Sequence, residues 1–136
     1  MDIQELNKTI IEEFRANGGK VGGQFEGAPL LLLTTIGAKS GRSRTNPLVY
    51  LTDNDRYVII ASYAGAPTHP PWYYNLKTNP GVEVEIGTQR FKARAEILED
   101  PERSNLYQQA ASAMPAFSDY QRKTTRTIPV IALHQQ

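Results

Sequence analysis

The stretch Val82-Glu83-Val84-Glu85-Ile86-Gly87-Thr88-Gln89-Arg90-Phe91-Lys92-Ala93-Arg94-Ala95-Glu96-Ile97 decides the fold class. Before Gly87-Thr88, Val82, Val84 and Ile86 alternate with Glu83 and Glu85. After it, Phe91, Ala93, Ala95 and Ile97 alternate with Lys92, Arg94 and Glu96. Side chains of a strand point to opposite faces in turn, so each run has one buried and one wet face. Two such runs around a short Gly-containing connection predict an antiparallel hairpin.

Outward from this hairpin the strand signal continues. Residues 57–62 form an apolar run after the turn-forming Asp53-Asn54-Asp55. Residues 46–52 form another, with Pro47 near its start, where a missing N–H is tolerated. The β-branched run Leu30–Ile36 suits a buried strand. A last strand is expected over 128–133, with Pro129 marking an edge or a bulge. Helical spacing is confined to three places. Ile3, Leu6, Ile10 and Phe14 recur among Glu5, Lys8, Glu12 and Glu13, which predicts an amphipathic N-terminal helix over 1–17 stopped by Asn17-Gly18-Gly19. A short helix over 72–78 ends at Asn79-Pro80. A longer one over 100–113 opens with Asp100 as N-cap and Pro101 at the first helical position. About six short strands and a few helices that do not alternate as βαβ units predict a mainly β (α+β) domain. Its antiparallel sheet closes into a barrel with helices outside. The expectation is a single domain over residues 1–136.

Composition narrows the function classes. With 40% hydrophobic and 21% charged residues, the chain has material for one core. It has no cysteine, hence no disulfide framework and no thiol nucleophile. The N-terminus carries no basic start or apolar stretch of a secretory signal, and no apolar run is long enough to span a membrane. A cytoplasmic location follows as an expectation. Peripheral contact at the inner face of the membrane, through the N-terminal helix, is the alternative. His69 and His134 are unpaired with other metal-ligand types, so no metal site is expected. His69, in the Pro-rich Ala66-Pro67-Thr68-His69-Pro70-Pro71, reads as a loop-shaping residue before a general base. A net charge of +1 with no basic helix face argues against nucleic acid.

Charge distribution is more informative. From Gly27 to Val82 the acids are Asp53 and Asp55, against Lys39, Arg42, Arg44, Arg56 and Lys77. Gly37-Ala38-Lys39-Ser40-Gly41-Arg42-Ser43-Arg44 follows a strand but fails as a phosphate-binding loop, since three residues rather than four separate its glycines and no Gly-Lys-Ser/Thr follows. A basic hairpin turn and a site for an anion both fit it. Ala61-Ser62-Tyr63-Ala64-Gly65-Ala66-Pro67, at a strand end, leaves room for something flat. Trp72, Tyr73 and Tyr74 offer stacking faces, or else a helix packed on the barrel. A chain without metal ligands or an activated nucleophile can be an enzyme when a cofactor carries the reaction. Here the residues suit one with an anionic tail and a planar ring.

The run Leu33-Thr34-Thr35-Ile36-Gly37-Ala38-Lys39-Ser40-Gly41-Arg42-Ser43-Arg44-Thr45-Asn46-Pro47-Leu48 resembles the first signature of the actinobacterial deazaflavin-dependent nitroreductase family. Residues 61–80 resemble its second signature and residues 120–130 its C-terminal one, in one order and spacing over roughly residues 28–133. The resemblance implies a split β-barrel of the FMN-binding type and coenzyme F420 as cofactor. It implies hydride transfer from reduced deazaflavin to a small organic acceptor: a quinone, an activated enone or a nitroaromatic. It implies that Lys39 and Arg44 hold the anionic tail, with Ala38, Ser40, Thr45, Asn46, Pro47, Leu48 and Val49 beside it. Ile60, Ala61, Ser62, Tyr63, Pro71, Trp72, Tyr73, Tyr74 and Asn75 would flank the ring. Ser62 and Tyr120 are the candidates to hydrogen-bond the acceptor and support proton delivery, and Trp72 and Phe117 would line its pocket. The nitroreductase that names the family has a tyrosine where Phe117 stands, which puts nitroimidazole reduction in question here. The alternatives are a non-catalytic F420 carrier and a split-barrel protein using FMN or haem. Monomer and homodimer both remain open.

Overall fold

The structure, a computed structural model, describes residues 3–136; the reading of Met1-Asp2 and the side chain of Ile3 lie outside the described residues. Six strands form a closed barrel: β1 (Leu30–Ile36), β2 (Ser43–Asp53), β3 (Arg56–Ile60), β4 (Gly81–Ile86), β5 (Gln89–Ile97) and β6 (Val130–Gln135). Their order around the barrel is β1-β2-β3-β6-β5-β4, and every pairing is antiparallel. Four helices surround it: α1 (Ile3–Ala16), α2 (Pro71–Thr78), α3 (Glu102–Ala113) and α4 (Ala116–Lys123).

Period-two alternation sorts the side chains. Leu31, Leu33, Ile59, Val82, Val84, Ala93, Ala95, Ile131 and Leu133 fill the interior, together with Trp72, Tyr73 and Leu76 of α2. The even residues of β1, Leu30 and Leu32, point outward onto Ile10 and Phe14 of α1. That is why Leu30–Ile36 shows no alternation in sequence: both of its faces are covered. Val58, Ile60, Val130 and Ala132 form a third apolar patch under Leu106, Tyr107 and Ala110 of α3. Burial of such side chains stabilises each layer by roughly 1.5–3 kcal/mol per large residue before entropy is subtracted.

The end of α1 is tied to the β4–β5 hairpin. Arg15 forms a two-pronged pair with Glu85, at 2.8 and 3.1 Å. Gly19 has φ +93, and a Cβ there would fall 2.6 Å from Gly87 Cα, so only glycine permits this approach.

Several element boundaries differ from the sequence reading. β2 begins at Ser43 and not at Asn46, so the basic turn runs directly into a strand. Residues Ala116–Lys123 form a further helix, α4, beyond the three that helical spacing marks. β6 starts after Pro129, and it lies between β3 and β5; no edge or bulge exists there. Pro129 is tolerated because it precedes the strand, its carbonyl still accepting from Ala61 N–H at 3.0 Å. α3 begins at Glu102, and Asp100 caps one turn further in, its Oδ1 accepting from Ser104 N–H at 3.1 Å. No helix among the described residues is long and apolar enough to cross a membrane.

Candidate functional site

The β2–β3 ladder opens partway along. β2 pairs with β3 from Asp53 up to Tyr50↔Ile59 and no further, whereas β3 still pairs with β6 at Ile60↔Val130. The next hydrogen-bonded positions in register would have opposed Val49 to Ile60 and Pro47 to Ser62. Pro47 has no N–H to donate, so the ladder cannot continue through it. Residues 43–49 of β2 therefore have β1 on one side and a gap on the other. Antiparallel geometry turns the N–H and C=O of Thr45 and Val49 toward that gap, and those of Ile60 toward it from the far side. Thr45, Asn46, Pro47, Leu48 and Val49 are all half-buried, as are Tyr50 and Leu51 where β3 does pair.

The β1–β2 connection lies at one end of this gap. Gly37 N–H donates to Arg42 O at 2.7 Å and Gly41 N–H to Gly37 O at 3.0 Å, which closes a compact loop. Ser40 Oγ accepts from Arg42 N–H at 3.2 Å. Lys39, Arg42 and Arg44 are exposed, and among the described residues none has an ion pair. Arg15, Arg56, Arg90, Arg103 and Arg122 each meet a carboxylate, whereas Arg94 on β5 has no ion pair among the described residues; what distinguishes the turn is that three such cations stand within six residues. Three cations on one turn repel each other, and an anion relieves that repulsion.

At the other side of the gap the chain leaves β3 in a strained turn. Tyr63 and Ala64 take left-handed backbone at φ 48 and 54, followed by Gly65 at φ 78. Left-handed backbone costs a non-glycine residue about 1–2 kcal/mol, so other contacts must hold this turn. Gly65 N–H donates to Ser62 O at 2.9 Å and Ala66 N–H to Tyr63 O at 3.0 Å. A Cβ on Gly65 would fall 2.9 Å from both Tyr120 O and Lys123 Cβ, which shows how closely α4 seats on the turn. The Arg126 guanidinium donates to Ser62 O, Ala61 O, Ala66 O and His69 Nδ1 at 2.7 to 3.2 Å. Burial lowers the Arg126 pKa, and burial followed by Arg126 and Lys77 lowers that of His69. Because a guanidinium can only donate, the His69 Nδ1 that meets Arg126 accepts through its lone pair.

α2 joins the two sides. Asn75 Oδ1 accepts from Ala38 N–H at 3.0 Å, while its Nδ2 donates to the buried Thr35 Oγ1 at 3.1 Å. His69 lies 4.6 Å from the Tyr73 ring and 5.8 Å from the Tyr74 ring, centroid to centroid. The three sequence segments are therefore contiguous in space.

The aromatic residues divide differently from the sequence expectation. Trp72 and Tyr73 are 5% and 8% exposed and belong to the barrel core, whereas Tyr63 and Tyr74 are each 46% exposed. The open aromatic faces are Tyr63 and Tyr74; the stacking faces expected of Trp72 and Tyr73 lie inside. Pro71 is exposed at the start of α2. Ala61 and Ser62 are buried at the strand end, and Ser62 makes no side-chain cap bond in the turn it opens. Phe117 and Tyr120 are half-buried, their rings 6.0 Å apart, and Tyr107 Oη donates to Phe117 O at 2.5 Å. Lys123 Nζ stands 5.9 Å from the centre of the Tyr120 ring. A shallow depression of about 440 Å³ occupies the outer face of β1, β2, β4 and β5; Thr45 lines it, but Ser62 and Tyr120 do not. Arg126 escaped the sequence reading as a site residue, and its only signal was its place in the C-terminal segment.

The donor set fits a planar group with an anionic tail: unpaired cations at one end, open strand backbone and exposed tyrosines beside it.

The chain is similar to known proteins in both sequence and fold. The family model described as F420H(2)-dependent quinone reductase matches residues 6–135. An F420H(2)-dependent quinone reductase of Mycobacterium tuberculosis is 41% identical over 124 residues, covering 88% of this chain and 83% of that protein. A solved F420-H2 dependent reductase (FDR-A) is 42% identical with a TM-score of 0.71, over 78% of this chain and 94% of that one. Another solved structure, described as a domain-swapped dimer, is 38% identical with a TM-score of 0.73, covering 97% of this chain and 96% of that one. HutZ, a haem storage protein of Vibrio cholerae, is 17% identical with a TM-score of 0.63 and shares the fold alone.

Proposed function

The chain belongs to the F420H(2)-dependent quinone reductase family, and from that premise we propose that the gap between β2 and the 61–66 loop is where it binds the cofactor and reduces its acceptor. The protein is an F420H2-dependent reductase that passes a hydride to a small organic acceptor such as a quinone, an activated enone or a nitroaromatic. The observation that carries the site assignment is the set of three cations, Lys39, Arg42 and Arg44, that form no ion pair among the described residues, on the turn that feeds the open edge of β2.

Lys39 and Arg44 take the anionic tail. Ala38 and Ser40 shape the turn that presents them, and residues 45–49 run alongside with free backbone groups. Ile60, Ala61, Ser62 and Tyr63 border the ring; Pro71, Trp72, Tyr73, Tyr74 and Asn75 support it through α2. When bound, reduced deazaflavin would supply the hydride, and with one proton this two-electron reduction takes a quinone to its hydroquinone, both carbonyl oxygens ending as hydroxyls. Ser62 and Tyr120 hold the acceptor oxygen and deliver that proton, while Phe117 bounds the acceptor space and Trp72 acts only from the core behind it. Orientation at near-attack distance is the protein's main contribution, since it offers no nucleophile of its own.

Anaerobic mixing of the protein with reduced F420 and menadione tests the reading. Reoxidation well above the protein-free rate is expected. No acceleration with any quinone, enone or nitroaromatic would overturn it, and tight binding without turnover would make the chain a carrier.

A further inference from the structure

Among the described residues, Arg126 is the one arginine that grips a loop by neutral acceptors alone. Its guanidinium, on the segment between α4 and β6, reaches Ser62 O at 2.7 Å, Ala66 O at 2.9 Å, His69 Nδ1 at 3.0 Å and Ala61 O at 3.2 Å. These acceptors bracket the left-handed Tyr63-Ala64-Gly65 turn on both sides. A planar fork with five N–H donors can serve four acceptors at once, whereas a lysine ammonium has three donors at a single point. The grip also requires a lone pair at His69 Nδ1. A proton there would set a donor against a donor and a second charge against the guanidinium. The other titratable groups facing the His69 ring are Tyr73, Tyr74 and Lys77 of α2.

We propose that Arg126 is a positioning residue for hydride transfer: it holds the 62–65 turn, and with it Ser62 and the end of β3, in the shape that meets the cofactor ring and the acceptor, and it does so only while His69 is neutral. The inference rests on the assignment of Ser62 and residues 60–63 to the ring side of the site. Arg126 touches neither reactant. Its effect passes through the turn, so its loss acts on the reacting geometry more than on the tail contacts around Lys39 and Arg44.

Two measurements on the full chain test it. The first is amide hydrogen exchange by NMR without cofactor, on the wild type, Arg126→Gln, Arg126→Lys and His69→Gln. The Gly65 and Ala66 amides should exchange about tenfold faster in both Arg126 variants, with the amides of Ile59 and Leu133 unchanged. In the wild type the same two amides should lose protection, after correction for intrinsic rates, as pH falls below about 6.5. The second is steady-state oxidation of reduced F420 by menadione across the same pH range. Both Arg126 variants should lose about tenfold in kcat with little change in cofactor KM, while His69→Gln, whose amide oxygen still accepts, keeps activity and loses the acid limb. Unchanged protection of Gly65 and Ala66 in Arg126→Gln overturns the proposal, as does wild-type kcat in that variant. An acid limb that persists in His69→Gln removes the histidine from it. A wild-type protein with no turnover defeats the functional reading instead, and the exchange data still decide whether Arg126 holds the turn.

Discussion

The Ala38 amide donates to Asn75 Oδ1 at 3.0 Å, so the turn that carries Lys39, Arg42 and Arg44 is pinned to helix α2. Both residues were expected beside the cofactor, and in the folded chain they face each other. The Asn75 amide is nearly saturated, because its Nδ2 serves the Thr35 hydroxyl, which is fully buried. Asn75 thus links the basic turn and the buried end of β1 to helix α2.

Asn75→Ala leaves two polar groups without partners, one of them in the core. Stability should drop by about 1–3 kcal/mol, and F420 affinity should fall because the basic turn is released. Urea unfolding and a fluorescence titration read the two effects. A variant as stable as the wild type would show that water replaces the amide at no cost.

Gly65→Ala should be among the most damaging single-methyl changes in the chain. The position combines φ +78 with a Cβ site 2.9 Å from Tyr120 O and Lys123 Cβ. A loss of about 1–3 kcal/mol is expected from strain and displacement of α4. Thermal unfolding within a degree of the wild type would contradict the tight seating of α4 on the turn.

The tail assignment predicts a salt-dependent defect. Exposed ion pairs contribute about 0.2–1 kcal/mol each, so Lys39→Ala with Arg44→Ala should weaken binding of long-tailed F420 by roughly two- to thirtyfold at low salt. The difference should shrink as salt is raised, since screening weakens exposed pairs first. Equal affinity of the double variant and the wild type at low salt would remove both residues from the tail site.

Phe117→Tyr adds a phenol hydroxyl on the proposed acceptor side of the site. The backbone carbonyl of Phe117 is held by Tyr107 Oη and its ring packs edge-on to Tyr120, so the new hydroxyl enters an already placed ring. Relative kcat/KM for nitroaromatics over quinones should rise by about tenfold, the scale of one useful hydrogen bond. An unchanged ratio would place Phe117 outside the acceptor space.

Acid should destabilise the fold through His69. Its folded pKa lies below the ordinary 6.5 because of burial and the nearby Arg126 and Lys77. The unfolded chain therefore takes up its proton at higher pH than the folded chain does. This contribution is complete above about pH 6.5 and is lost as pH falls from there toward the lower folded value. Melting temperatures of the wild type and His69→Gln should converge as pH falls through that window; parallel curves would mean that other groups control acid stability.

Much of the fold was legible because sheet faces are written with period two. Val82 to Ile86 and Phe91 to Ile97 alternate in sequence and alternate between core and solvent in the barrel. Leu30–Ile36 was legible as a strand for the opposite reason, since interior and α1 bury its two faces. The helix α4 was less legible: Ala116–Lys123 buries none of its residues fully, and its apolar side meets the structure only through Phe117 and Tyr120. Trp72 and Tyr73 looked available for stacking because composition does not tell which face of a short helix turns inward.

The sequence by itself determined the strands, the hairpins, the basic turn and the family, because each is encoded in residues close along the chain or in motifs with fixed spacing. Tertiary structure alone decided what joins them. Arg126 meets acceptors 57 to 65 residues away, and Asn75 meets Thr35 and Ala38 across 40 and 37. Such contacts leave no local pattern: a hydrogen bond depends on where the closed barrel brings two groups, and period and propensity describe only which way each segment faces.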